Sequence, residues 1–185
     1  MIEQALALVR SGHVIGIPTD TVYGIGADPK DPAAIEQIFA IKGRPWEQPI
    51  GLLVADLDAA LGVVDLPDYA RLWASIHWPG ALNIVARPRD IWPRGVGDRD
   101  SLGVRVPDHP VALELLQAAG PLAVTSANRS GGGETHNDVE AASVLGNNVA
   151  TYLTGESPGG VASTSVDVRQ DQPLLLRQGP IDLGI

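Results

Sequence analysis

Short apolar runs that stop abruptly constrain this chain more than any other feature. Residues 13–17 are closed by Pro18, residues 50–54 lie between Pro49 and Asp56, and residues 122–125 run into Ser126. Runs of that length, bounded by turn formers, read as buried strands. Between them the apolar residues take the helical period. Ile2, Ala5, Leu6 and Val9 form one stripe, stopped by Gly12. Ile35, Ile38 and Phe39 form another behind an Asp31-Pro32 cap, and residues 110–119 carry Val111, Leu113, Leu115 and Leu116 ahead of Gly120. Residues 56–61 and 68–76 read as two short helices, and Asn137 or Asp138 caps a helix reaching Leu145. Further strands are expected at 81–86, 102–106, 149–153, 163–168 and 174–176. Strands separated by helices, with some neighbours antiparallel, define an α/β fold with a twisted mixed sheet flanked by helices.

A chain of 185 residues with 44% hydrophobic content supports one core and is short for two, so a single domain over 1–185 is expected. It contains no cysteine, which excludes disulfides and thiolate metal sites. No apolar run has the length of a membrane span, and the first residues lack a basic leader, so a soluble cytoplasmic protein is expected. The formal charge of −9 opposes non-specific attraction to long nucleic acid.

Two loops that follow strands are rich in hydroxyls or glycine: 19–24, with Thr19, Asp20, Thr21 and Tyr23, and 126–133, with Ser126, Asn128 and three consecutive glycines. Strand ends of this kind are where α/β proteins place ligands. The second helix ends at Lys42, one of two lysines in the chain, and Arg44 follows across Gly43. Two cations so close invite a shared anion; the other reading is a basic helix end complementing the helix dipole. Arg105 interrupts an otherwise apolar strand, so its charge needs a partner or a cleft. An internal ion pair with an acid such as Asp167 is one solution, and a clamp on carboxylate or phosphate is the other. The hydroxyls of Ser163, Thr164 and Ser165 read, on their own, as ordinary strand residues. No HExxH pattern or carboxylate cluster points to a protein-bound metal, and Ser126 lacks a nucleophile-elbow context.

In order along the chain, seven stretches resemble the YrdC-like family, the threonylcarbamoyl-AMP synthases of tRNA modification, in its short single-domain bacterial form. They are Pro18-Thr19-Asp20-Thr21-Val22-Tyr23-Gly24, Lys42-Gly43-Arg44-Pro45, Trp78-Pro79-Gly80, Gly103-Val104-Arg105-Val106-Pro107-Asp108-His109-Pro110, Thr125-Ser126-Ala127-Asn128-Arg129-Ser130-Gly131, Ser163-Thr164-Ser165-Val166-Asp167 and Leu176-Arg177-Gln178-Gly179. The resemblance implies a twisted sheet with a concave cationic groove and no extra C-terminal domain. It implies a nucleotidyltransferase that joins L-threonine, bicarbonate or CO2, and ATP into threonylcarbamoyl-adenylate and pyrophosphate, with Mg2+ arriving on the ATP. It further implies a downstream tRNA threonylcarbamoyl transferase complex acting on adenosine 37 of ANN-decoding tRNAs, and a weak contact with tRNA itself.

By the same resemblance Lys42 and Arg44 are the catalytic pair, and Arg44, Ser126, Asn128 and Arg177 bind ATP. Thr21, Tyr23, Arg105 and Ser163 bind threonine. The chain departs from the family pattern in several places. Asp20 replaces Glu, Ala81 and Asn83 stand where Pro and Thr are common, and Gln48-Pro49-Ile50 stands in for Asn-Pro-Leu. Leu53 occupies a position where long members often carry a His that touches threonine. An RNA-binding module of the same fold and a related carbamoyl-adenylate-forming paralogue are the alternative readings.

Overall fold

The computed structural model describes residues 1–159 and 161–185. In chain order its elements are α1 (Ile2–Arg10), β1 (Ile15–Ile17), β2 (Gly24–Ala27), α2 (Pro32–Lys42), β3 (Gly51–Leu53), α3 (Leu57–Val63), β4 (Val64–Asp65), α4 (Asp68–His77), β5 (Leu82–Pro88), β6 (Leu102–Arg105), α5 (Pro110–Ala119), β7 (Leu122–Ser126), α6 (Asp138–Leu145), β8 (Thr151–Tyr152), β9 (Thr164–Asp167) and β10 (Leu174–Arg177). The sheet runs β10-β9-β5-β6-β3-β7-β2-β1-β8, with β4 paired to β5. β5 with β9, β3 with β6, and β1 with β8 are parallel, and the remaining pairs are antiparallel. This is the expected mixed sheet flanked by helices.

The strand period of two sorts the side chains onto two faces. One face carries Ile25, Leu52, Ile84, Val104, Ala123 and Val166 into the larger core, where α2, α3, α4 and α6 cover them with Ile35, Ile38, Ala60, Ala74 and Ala141. The other face is covered at one end only. There α1 and α5 pack Ala5, Val9, Ala112 and Leu115 onto Ile15, Ile17, Leu53 and Leu122. Beyond that patch the same face presents Asn83, Arg105 and Ser126, which line a pocket.

Local chemistry explains the best-defined helix. Asp31 accepts from the Ala33 and Ala34 amides at 2.9 and 3.3 Å, and Pro32 occupies the first turn, so two otherwise unpaired amides are satisfied. At the other end Gly43 adopts φ 62°, a left-handed conformation that glycine takes without steric cost. That turn lets Lys42 point inward while Arg44 is carried out to the pocket.

Strand β2 lies at the end of what the sequence showed as a polar loop. Its two glycines depress strand propensity, yet both are required by the packing. A Cβ at Gly24 would stand 2.9 Å from Val124 Cγ1, and one at Gly26 would stand 2.8 Å from Val124 Cγ2. The strand forms because β1 and β7 each offer it a ladder of backbone partners. The 149–153 run contributes only Thr151–Tyr152 as strand β8, and the two-residue β4 had no signal of its own.

Candidate active site

A cavity of about 340 Å3 opens on the half-covered sheet face. Its walls come from the 19–24 loop, the starts or ends of β2, β3, β5, β6 and β7, and the segment entering β9. Of the residues singled out in the sequence, Thr21, Arg44, Arg105, Ser126, Ser163 and Arg177 line it together, although they are spread over most of the chain.

Arg105 stands in the middle. Its side chain is almost wholly buried, with the residue 7% exposed, and each guanidinium nitrogen has one partner, which leaves two of the five N–H donors for a ligand. Nε donates to the Gly80 carbonyl at 2.9 Å, Nη1 to Thr21 Oγ1 at 2.9 Å, and Nη2 forms an ion pair with Asp20. The acid is therefore Asp20, from the loop beside the pocket, and not Asp167. Asp167 is held instead by Arg169 at 2.6 Å, a guanidinium two residues away that keeps its carboxyl below the usual range. Burial lowers the Arg105 pKa and Asp20 partly restores it, so the cation is fixed in place at the cavity wall. Thr19 completes the loop: its hydroxyl donates to the Val22 carbonyl at 2.7 Å and lies 3.2 Å from Thr21 Oγ1.

Lys42 and Arg44 diverge. Lys42 is 3% exposed and reaches beneath the 126–132 loop. Its ammonium donates to the Ser126 carbonyl at 2.5 Å, the Asn128 carbonyl at 2.6 Å and Asn128 Oδ1 at 3.1 Å. Its own carbonyl accepts from the Ser130 amide at 2.8 Å. Ser126 Oγ donates to Asn128 Oδ1 at 2.6 Å, and Asn128 Nδ2 donates to the Gly132 carbonyl at 2.7 Å. Burial, with a smaller push from the Arg44 charge, brings the Lys42 pKa down to about 8. Arg44 lies in the cavity wall, braced by Nε on the Gln48 carbonyl at 2.7 Å and Nη2 on the Pro49 carbonyl at 3.3 Å, and burial lowers its pKa as well.

At the far end Arg177 donates from Nε to the Ser163 carbonyl at 2.9 Å and from Nη2 to Ser163 Oγ at 3.2 Å. Three expected site residues sit elsewhere. Asn128 and Lys42 form the support behind the wall and do not line the cavity. Tyr23, expected at the amino acid, is fully buried in the larger core, and its hydroxyl donates to the Leu153 carbonyl at 2.6 Å. In strand β2 and the loop before it, Thr21 and Tyr23 are set apart by this packing: one faces the cavity and the other fills the core.

The cavity also contains residues that the sequence motifs did not assign. Asn83 is one; the sequence marked it only as a departure from the family pattern, and it stands on the face opposite Leu82 and Ile84. Glu134 also lines the cavity, and no pattern in the sequence pointed to it. Among the described residues no group of three or more His, Cys, Asp or Glu is placed to hold a metal ion, and no helix is long and apolar enough to cross a membrane.

One sheet face is half open, and Arg44, Arg105 and Arg177 stand around the opening with Ser126 and Glu134. The Sua5/YciO/YrdC family model, described as "Telomere recombination", matches residues 7–179, and the chain belongs to that family. A Mycobacterium tuberculosis protein is 40% identical over 97% of this chain and 84% of its own. The threonylcarbamoyl-AMP synthase of Bacillus subtilis is 36% identical over 97% of this chain and 54% of its own. Among solved structures, Pyrococcus abyssi Sua5 complexed with L-threonine superposes with a TM-score of 0.92 at 34% identity, covering 99% of this chain and 55% of that one. The chain thus spans about half the length of the last two relatives.

Proposed function

We propose that this protein makes L-threonylcarbamoyl-adenylate from L-threonine, bicarbonate or CO2, and ATP, releasing pyrophosphate. The observation that carries the reading is the placement of Arg105, Arg44, Ser126 and Arg177 around one cavity, three fixed cations and a hydroxyl within reach of a single bound pair of substrates. The reaction brings together two species of the same charge. Threonine's amine adds CO2 to give a carbamate, a carbamate oxygen attacks the α-phosphorus, and the bond to the pyrophosphate oxygen breaks. The nucleophile is already anionic, so alignment and charge compensation dominate over general-base catalysis.

In this scheme Arg105 receives the amino-acid carboxylate beside Thr21, with Ser163 at the same end of the cavity. Arg44 and Ser126 face the phosphates, and Arg177 bounds the nucleotide. Lys42 and Asn128 hold the 126–132 loop in the shape the phosphates meet, and Lys42 adds positive charge directly behind it. Mg2+ accompanies the triphosphate. The adenylate is a mixed anhydride, which suits it for transfer to a tRNA adenosine by a partner transferase in the cytoplasm.

Pyrophosphate release in the presence of ATP, Mg2+, bicarbonate and each amino acid tests the reading. Release should depend on threonine and on bicarbonate, and activity independent of both would overturn it.

A further inference from the structure

The uncovered sheet face carries one polar row that the reaction scheme leaves partly unused. Arg177 on β10 is in register with Ser165 on β9, Ser165 with Asn83 on β5, and Arg105 on β6 with Leu53 on β3. Asn83 and Arg105 follow one place beyond the Ile84 and Val104 pair, so they are neighbours across β5 and β6. Asn83 Nδ2 donates to Ser165 Oγ at 2.9 Å, which turns the amide nitrogen toward β9. The amide lies over Gly103: a Cβ there would stand 3.0 Å from Oδ1 and 3.3 Å from Nδ2. Gly103 thus supplies the space in which this amide lies. Among the described residues no donor reaches Asn83 Oδ1, and Asn83 lines the cavity.

We infer that Asn83 is a specificity-determining residue, its Oδ1 accepting a hydrogen bond from the side-chain hydroxyl of a β-hydroxy amino acid. The inference rests on the adenylation reading above. An amide oxygen is an acceptor only, so the bound molecule must bring the donor, and a carboxylate cannot. With the carboxylate on Arg105, the amine has to turn toward Arg44 and Ser126, because the carbamate oxygen must reach the α-phosphorus. Ser126 lies on the β7 side of Arg105 in the strand order, and Arg44 is braced on the Gln48 and Pro49 carbonyls of the loop entering β3, the strand between β6 and β7. The remaining substituent of the α-carbon turns the other way, toward β5. Adjacent strands are roughly 4.8 Å apart, which puts Asn83 within one side chain of the carboxylate site. On the opposite flank of Arg105, Leu53 is apolar and offers a hydroxyl nothing. A site that pairs a substrate hydroxyl with a polar group of its own discriminates against the isostere lacking that hydroxyl.

The test compares L-threonine with L-valine, its near-isostere without the hydroxyl, in wild type and Asn83→Leu. Binding is measured by calorimetry and turnover by pyrophosphate release. The inference predicts that Asn83→Leu lowers the threonine-to-valine ratio at least about tenfold, by weakening threonine with little change in valine. Asn83→Asp, which keeps an acceptor at the same place, retains the preference. If Asn83→Leu loses its fold by circular dichroism, Asn83→Ala carries the same comparison without added bulk. An active wild type whose ratio is unchanged in the leucine or alanine variant overturns the role of Asn83 alone. A wild type that neither binds threonine nor releases pyrophosphate with it overturns the adenylation reading along with this one.

Discussion

The Lys42 ammonium holds Asn128 at two points, its main-chain carbonyl at 2.6 Å and its side-chain Oδ1 at 3.1 Å. With the Ser126 carbonyl as third acceptor, all three ammonium protons are committed to the 126–132 loop. The helix that ends in Lys42 therefore fixes the loop that forms the cavity wall.

Replacing Lys42 by Ala should loosen that loop and abolish turnover. The Ser126 and Asn128 carbonyls lose their ammonium donor while Asn128 Oδ1 keeps Ser126 Oγ, at a cost of about 1–3 kcal/mol for each acceptor left unsatisfied. The expected result is a lower Tm, faster amide exchange at Ser130, whose N–H bonds the Lys42 carbonyl at 2.8 Å, and a loss of pyrophosphate release. Unchanged exchange at Ser130 would mean that the loop keeps its shape without the ammonium.

Arg44→Ala should behave differently. Arg44 is only half buried and braces two carbonyls of its own turn, so stability should fall by less than about 1 kcal/mol. ATP affinity and kcat should both fall, while threonine binding in the absence of nucleotide stays near the wild-type value. Separate calorimetric titrations of ATP and threonine distinguish these outcomes.

The pH dependence follows from the Lys42 pKa, brought from 10.5 down to about 8 by burial and by Arg44. Between about 8 and 10.5 the unfolded chain holds a proton on this group that the folded apoprotein has lost. On this account the apoprotein gains stability as pH rises through that window, and below about 8 the burden of the buried charge is at its full value. Nucleotide affinity runs in the opposite direction, falling as pH rises through about 8, because the charge behind the phosphate wall is removed. Affinity measured from pH 7 to 9.5 should show this fall in wild type and a flatter profile in Lys42→Arg, whose charge persists throughout.

Arg105→Ala should lose threonine binding and also cost stability. Asp20 would be left without its cation in a poorly hydrated position, and breaking such a pair costs about 3–5 kcal/mol when one partner is removed. Removing both partners, in Asp20→Ala with Arg105→Ala, should recover part of the Tm without recovering threonine affinity. A double variant no more stable than Arg105→Ala alone would show that the carboxylate is not the source of the loss.

Much of this arrangement is legible in the residues themselves, and the limits have physical causes. The helix ending at Lys42 was readable because cap, stripe and terminal glycine agree locally. Arg105 announced itself as a charge in an apolar strand, but the sequence could not choose its acid. Asp20 and Asp167 are both far along the chain, and the strand order alone decides which one arrives. Tyr23 shows the converse: it belongs to a polar stretch by neighbourhood and to the core by the alternation of the strand it enters. Strand β2 was hidden because its glycines answer to Val124 on the neighbouring strand, a contact with no local signature. Asn83 was noticed only as a departure from a pattern, since the meaning of an amide at that place depends on the bare backbone of Gly103 beside it.

The sheet has two unequal sides, one sealed by four helices and the other by two helices at one end. Part of a layer is in effect left for the substrates to supply. Bound threonine and nucleotide would act as temporary structural parts, burying the strand ends that α1 and α5 do not reach. Saturating ligands should then raise the Tm, and the amides protected most should be those of the open sheet face at Gly51, Gly103 and Ser126. In such a molecule the vacant form is the less finished one, and each turnover assembles and dismantles part of its second layer.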